Sequence, residues 1–184
     1  KMMNGLPGLF AGMAVGVVIS VIVAFLVGLP TLRLKGDYLA IATLGVAEII
    51  RVAVTNMKIT NGAAGISGVP LTNTWTITYI ALVLTTILIL NYTFSSAGRA
   101  TYAVLQDEIA AESMGVQVTK YKILAFVLGA ATASIGGTLS ATTLGAVTPS
   151  DFTFMKSIEV LIIVVFGGIG SFTGSFVAAI LLGI

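Results

Sequence analysis

Cysteine and histidine are absent from this chain of 184 residues, and charged side chains are scarce. Without cysteine it can form no disulfide or thiolate site, and without histidine it lacks the commonest metal ligand and general base. Asp, Glu, Lys and Arg make up only 9% of the residues, against about 25% in a soluble domain. The net charge of +2 comes from scattered basic residues, which is not the pattern of a nucleic-acid-binding protein. We therefore expect no catalytic site, no metal, no cofactor and no nucleic-acid partner.

Hydrophobic residues make up 57% of the sequence, and the mean hydropathy is +1.09. This composition predicts an all-α integral membrane protein, because a span of about 20 apolar residues crosses the lipid core as a helix. We expect about five spans, at residues 6–29, 38–54, 75–94, 122–147 and 157–184. Pro30 is expected to end the first span, in which Gly12 and Gly16 form a small-xxx-small pair suited to close helix contact. The chain ends inside an apolar run, so we expect residues 1–184 to be one partial transmembrane domain.

The last apolar stretch is interrupted by glycines, which are Gly167, Gly168, Gly170 and Gly174. It is either one glycine-rich span or two half-spans joined by a break at membrane depth. Such breaks survive where they are buried in protein or line a cavity. We favour the break, which would make this segment re-entrant.

Glu48 and Arg51 lie inside the second predicted span, three residues apart on one helix face. Ionisable groups within a membrane are costly and face protein or water rather than lipid. The pair is therefore either an internal ion pair that fixes helix packing, which we favour, or a polar contact along a translocation path.

Residues 98–121 form the one long polar segment of the chain. Good helix formers up to Met114 predict a helix there, Gly115 is placed to stop it, and Thr119 could cap the next helix. An apolar stripe is expected on this helix from the spacing of Tyr102, Leu105 and Ile109. The residues alone favour a solvated loop over a docking surface.

The loop at residues 55–74 is rich in Gly, Asn, Ser and Thr. We favour a turn-rich external loop over irregular backbone that dips into a protein-lined cavity. If residues 98–121 are cytoplasmic, the basic residues expected inside are Arg33, Lys35, Arg99, Lys120 and Lys122. Those expected outside are Lys1, Lys58 and Lys156. The excess of basic residues on the inner side agrees with the tendency of Lys and Arg to lie in cytoplasmic loops.

The segment from Glu108 to Gly115 (Glu-Ile-Ala-Ala-Glu-Ser-Met-Gly) resembles the conserved cytoplasmic "EAA" loop of ATP-binding-cassette importer permeases. More closely, the chain resembles LivM-type permease subunits of branched-chain amino-acid importers. Four segments carry this likeness in the family's order: residues 32–45, 61–70, 98–126 and 166–171. One departure is that Ile109 fills a position where the general pattern has glutamate, which here stands one residue earlier.

The resemblance implies a set of partners. Such a permease pairs with a second, related permease subunit in the bacterial or archaeal cytoplasmic membrane. Two cytoplasmic ATPase subunits drive the pair, and a periplasmic or extracellular binding protein delivers leucine, isoleucine or valine. Residues 98–121 would be the cytoplasmic coupling loop that docks on the ATPase. Its coupling positions would be Glu108, Ala110, Ala111, Glu112 and Gly115.

The function that follows is that of a permease subunit working by alternating access. The chain would not itself hydrolyse ATP, because it contains no Gly-x-x-x-x-Gly-Lys-Ser/Thr sequence. Three alternatives remain open at this point. They are a permease of the same family for urea or short amides, a secondary transporter or channel, and a non-transporting membrane scaffold. A secondary transporter works without an ATPase and would not need a coupling loop of this pattern.

Overall fold

The computed structural model describes residues 5–34, 37–71 and 75–183, and its architecture is helical. Four helices are long and apolar enough to cross a membrane: α1 (Leu6–Thr31), α2 (Asp37–Asn56), α3 (Trp75–Phe94) and α6 (Val118–Leu144). The shorter helices are α4 (Ser96–Gln106), α5 (Glu108–Ser113), α7 (Phe154–Gly167) and α8 (Phe172–Leu182). Two short strands, β1 (Ile66–Ser67) and β2 (Ala146–Val147), pair in one sheet. The predicted all-α membrane architecture is confirmed.

The described helices fall into two compact units. The first contains α1, the beginning of α2, and α3 to α6. The second contains the remainder of α2 together with α7 and α8. The polar segment 98–121 therefore lies in the first unit, whereas the Glu48–Arg51 pair and the glycine-rich segment lie in the second.

A stripe of small residues joins α1 to α6. Gly16, Ser20, Ala24 and Gly28 recur every four residues and so share one face of α1. Ala24 and Gly28 are buried, and the Ser20 hydroxyl donates a hydrogen bond of 2.7 Å to the carbonyl oxygen of Ala130 on α6. Small side chains let two helix backbones approach closely. This stripe is the face of α1 that contacts α6.

The small-residue pair predicted at Gly12 and Gly16 is only half right. A Cβ atom added at Gly16 would lie 3.0 Å from the Ser134 hydroxyl, whereas one added at Gly12 would have no atom of the described residues within 4 Å. The pair that faces α6 is thus Gly16 with Ser20. Spacing by four residues puts Gly12 with Gly16, and Gly16 with Ser20, on one face of α1. Which of these two pairs contacts α6 depends on where α6 lies.

Pro30 does not end α1, contrary to the sequence prediction, because α1 continues to Thr31. Proline near a helix end removes one bond to residue i−4 and leaves the later bonds possible. The Leu32 N–H donates to the Gly28 carbonyl oxygen at 3.0 Å, and the Thr31 hydroxyl donates to the Val27 carbonyl oxygen at 2.7 Å. These bonds complete the final turn.

The boundaries of two other spans, α2 and α6, shift by a few residues. α3 begins and ends where predicted, α2 is longer than residues 38–54 at both ends, and α6 occupies residues 118–144 instead of 122–147. Thr119 lies inside α6 instead of capping it, since Gln117 precedes the helix and makes no side-chain cap. The predictions followed apolarity, but backbone hydrogen bonding also extends a helix through polar residues.

The described part of the loop at residues 55–74 contains the predicted turns and, beyond them, strand β1. Two 3₁₀ turns, Lys58–Thr60 and Gly62–Ala64, flank Asn61, which adopts a left-handed conformation with φ of 59°. The Thr60 hydroxyl donates to the Val54 carbonyl oxygen at 2.6 Å. This bond ties the start of the loop to the end of α2.

Candidate functional site

Helices α4 and α5, with the turn that leads into α6, form the candidate site, and we call residues 96–117 the coupling hairpin. Its entry is fixed by Ser95, whose hydroxyl accepts a hydrogen bond of 3.1 Å from the Gly98 N–H and donates one of 2.6 Å to the Tyr92 carbonyl oxygen. Gly98 lies so close to the carbonyl oxygens of Tyr92 and Thr93 that a Cβ atom has no room. α4 is thereby held tightly against the end of α3.

The predicted continuous helix up to Met114 is wrong, because it breaks at Asp107. This residue is extended, with φ of −153° and ψ of 112°. Its carboxylate accepts hydrogen bonds from the N–H groups of Ile109 (2.9 Å) and Ala110 (3.0 Å). Aspartate is among the best residues for capping a helix N-terminus. The cap starts a separate helix, α5, whose axis is free to differ from that of α4.

Gly115 ends α5, as its position in the sequence predicted. Its φ of +83° is left-handed, and such a conformation favours glycine. The Gly115 N–H donates to the Glu112 carbonyl oxygen at 2.9 Å, and the Val116 N–H donates to the Ala111 carbonyl oxygen at 3.0 Å. These two bonds constitute a Schellman motif, which closes the helix and reverses the chain toward α6.

The outer face of the coupling hairpin is apolar and exposed. Ile109 is 76% and Met114 84% exposed, and Ala110 and Glu112 are also exposed. The predicted stripe of Tyr102, Leu105 and Ile109 is exposed too, although the break at Asp107 divides it between two helices. Large apolar side chains grouped on a surface are typical of a contact site.

Of the predicted coupling residues, one is buried and one is partly buried. Ala111 is only 4% exposed, so its small side chain permits close packing of α5 within the first unit. The Glu108 carboxylate lies 2.7 Å from the Lys122 Nζ on α6. Of the five residues, Ala110, Glu112 and Gly115 are thus exposed.

A groove of about 1150 Å³ opens beside the coupling hairpin. Glu112 and Gly115 line it at the hairpin, Lys120 and Ile123 line it on α6, and Phe25 lines it on α1. Most of its lining is apolar, although Glu112 and Lys120 contribute charged groups and Gln117 and Thr119 contribute polar ones. The hairpin and the adjoining helices therefore present one continuous, mainly apolar surface.

Glu48 and Arg51 form the predicted pair on α2. The Arg51 Nε donates to the Glu48 Oε2 at 2.9 Å, and the Arg51 Nη2 donates to the other carboxylate oxygen. This bidentate arrangement is the strong form of an arginine–carboxylate contact. The Arg51 side chain is 31% and that of Glu48 51% exposed, so the pair lies on the surface of the helix.

The glycine-rich segment is broken between α7 and α8. Gly168 (φ +91°) and Gly170 (φ +88°) are left-handed, and the Ser171 hydroxyl caps α8 by accepting from the Gly174 N–H at 3.2 Å. Gly174 and Gly167 lie in close backbone contact, with no room for a side chain at either. The four predicted glycines thus shape a helical hairpin whose two arms contain 14 and 11 residues.

Residues 2–184 match a family model described as the permease component of a branched-chain amino acid transport system. The chain belongs to this permease family. Its membrane-spanning helices and its relatives make it a multi-pass membrane protein.

Individual relatives of the chain are also permease proteins of this kind. The high-affinity branched-chain amino acid transport system permease protein LivM of Salmonella typhimurium is 37% identical over 89% of this chain and 47% of its own length. LivM of Escherichia coli K12 is 38% identical over 86% of this chain and 45% of its own length. The permease protein LivH of the same strain is 34% identical over 60% of this chain and 34% of its own. The chain spans about half the length of the LivM relatives. No solved structure matches it.

Sequence reasoning missed three residues that organise the site: Ser95, Asp107 and Lys122. Ser95 and Asp107 carry a local signal, since each is a good N-cap residue directly before a helix. Lys122 carries none, because it meets Glu108 from 14 positions along the chain and across a turn.

Proposed function

We propose that the chain is part of a transmembrane permease subunit of an ATP-driven importer for branched-chain amino acids. The exposed apolar face of the coupling hairpin, on a chain of this permease family, is the observation that carries the proposal. Ile109 and Met114 would provide the apolar contact with an ATPase subunit, and Glu112 a charge-assisted one. Ala110 permits close approach, and Gly115 sets the direction of the chain.

The partners follow from the same proposal. A second permease subunit would complete the transport path, and its similarity to this chain is supported by the matches to both LivM and LivH. Two ATPase subunits on the cytoplasmic side would hydrolyse ATP, so the chain itself would not be an enzyme. A periplasmic or extracellular binding protein would deliver the substrate to a bacterial or archaeal cytoplasmic membrane.

Transport would proceed by alternating access. ATP binding and hydrolysis on the partners would displace the coupling hairpin, and the helices packed against it would move around a central path. We further propose that the Glu48–Arg51 pair and the break between α7 and α8 face protein or water. Charged groups and irregular backbone are expensive in contact with lipid.

The test is co-purification of the full-length protein with the products of its genomic neighbours in nanodiscs, followed by ATPase and uptake assays with a loaded binding protein. Gly115→Arg should abolish both the association with the ATPase and the stimulated ATPase activity, because a bulky charged residue would then occupy the left-handed position of the turn. Gly115→Asn is the matched control, since asparagine tolerates this conformation better than other side chains.

Uptake of leucine, isoleucine or valine, rather than urea or short amides, would establish the substrate class. If no ATPase associates with the wild-type protein, the importer proposal is wrong. Solute flux without an ATPase would then indicate a secondary transporter or channel, and a stable complex without flux would indicate a scaffold.

A further inference from the structure

The ion pair between Glu108 and Lys122 links the coupling hairpin to the long helix α6. The Glu108 Oε2 and Lys122 Nζ are 2.7 Å apart, and the two side chains are 31% and 22% exposed. Partly shielded charges are screened less by salt than fully exposed ones. The pair therefore differs from Lys156–Glu159 on α7, which has the same 2.7 Å separation but side chains 61% and 59% exposed.

The location of this pair matters because α5 lies between two conformational breaks. Asp107 is extended at one end, and Gly115 is left-handed at the other. A helix of six residues between two such turns is free to reorient unless side chains hold it, since hinges are a few residues that absorb backbone rotation. Glu108 is the first residue of α5, directly after the first break.

The other end of the link is firmly anchored. Lys122 is in the second turn of α6, a helix of 27 residues. Ser20 on α1 bonds the Ala130 carbonyl oxygen on α6 at 2.7 Å, two turns beyond Lys122. A displacement of α5 that reaches Lys122 is thus passed to a rigid pair of membrane-spanning helices.

We propose that Glu108 and Lys122 are positioning residues that orient α5 on α6 and transmit its movement into the membrane. This inference rests on the proposed function. Glu108 acts through Lys122 rather than by touching the ATPase, which distinguishes it from Glu112 on the exposed face. What the link requires is a pair of opposite charges, whichever residue carries each sign.

The test is a double-mutant cycle in the full importer complex, with the amount of substrate transported per ATP hydrolysed as the measurement. Glu108→Gln and Lys122→Gln should each lower this ratio by about 2- to 30-fold, while the ATPase still co-purifies. The exchanged pair, Glu108→Lys with Lys122→Glu, should restore most of the loss. A purely structural defect would lower the yield of the complex and leave the ratio unchanged.

Glu159→Gln is the matched control, because it breaks an ion pair of equal length on another helix. It should leave the transport ratio within about twofold of wild type. The inference is overturned if the Glu108 and Lys122 variants keep the wild-type ratio, if the exchanged pair fails to recover it, or if Glu159→Gln lowers it equally. In those cases the proposed function stands as long as Gly115→Arg still detaches the ATPase. If the wild-type complex binds no ATPase, both fall.

Discussion

The hydroxyl of Ser20 donates a 2.7 Å hydrogen bond to the carbonyl oxygen of Ala130 and so joins the middle of α1 to the middle of α6. Both residues belong to stripes that repeat every four positions, since Phe126, Ala130, Ser134 and Thr138 face the α1 stripe. The two helices therefore meet mainly along small and polar residues, with Phe126 packed against Gly28, and most of their other large apolar side chains are exposed.

Ser20→Ala should lower the free energy of unfolding by about 0.6 kcal/mol, the average for hydrogen bonds between membrane helices. Equilibrium unfolding in mixed micelles would measure the change. Ser175→Ala is the control, because the Ser175 hydroxyl bonds the Ser171 carbonyl oxygen within its own helix segment. Equal losses in both variants would contradict a bond specific to the helix pair.

Gly16→Leu should destabilise the protein by about 1–3 kcal/mol, the usual cost of overpacking. The new side chain would collide with Ser134, whose hydroxyl lies 3.0 Å from the Cβ position. Gly12→Leu adds the same side chain where nothing lies within 4 Å and should be nearly neutral. Thermal unfolding of both variants in one detergent would measure this difference, and a larger loss for Gly12→Leu would show that the contact face is misassigned.

Gly98→Ala should disrupt the turn between α3 and α4, because the added methyl group meets the carbonyl oxygens of Tyr92 and Thr93. We expect a loss of at least about 1 kcal/mol and faster proteolysis in the coupling hairpin. Gly129→Ala on α6 meets nothing within 4 Å and should stabilise its helix by up to about 1 kcal/mol. Limited proteolysis followed by mass spectrometry would locate the new cleavage sites. A coupling hairpin that is cleaved at the wild-type rate in Gly98→Ala would refute the prediction.

Asp151 should make the turn before α7 sensitive to acid. Hydrogen bonds from the hydroxyl (2.8 Å) and the N–H (3.0 Å) of Thr148 hold the pKa of its carboxyl below the ordinary value of 3.8. A depressed folded pKa adds stability above the unfolded pKa, and this is lost as the pH falls through the folded pKa. The difference in Tm between wild type and Asp151→Asn should therefore shrink as the pH is lowered from about 5 to about 2. A difference that is independent of pH would contradict this assignment.

The coupling hairpin shows where sequence reasoning stops. Gly115 could be identified as a helix end because a left-handed turn depends on the residue itself. Asp107 was missed because good helix formers stand on both sides of it, and its capping preference competes with them. The sequence could not show that Ile109 is exposed and Ala111 buried, because the break at Asp107 changes which face of α5 turns outward.

The sequence alone was enough to predict the four long apolar helices, the spacing that places Glu48 and Arg51 on one face of α2, and the glycine interruption between α7 and α8. These features depend on apolarity, on spacing within one helix or on the conformational freedom of single residues, all of which are local properties. Only the tertiary structure decided that Gly16 rather than Gly12 faces α6, that Gly98 has no room for a side chain, and that Glu108 bonds Lys122. Each of these depends on where a second segment lies, which no local pattern specifies.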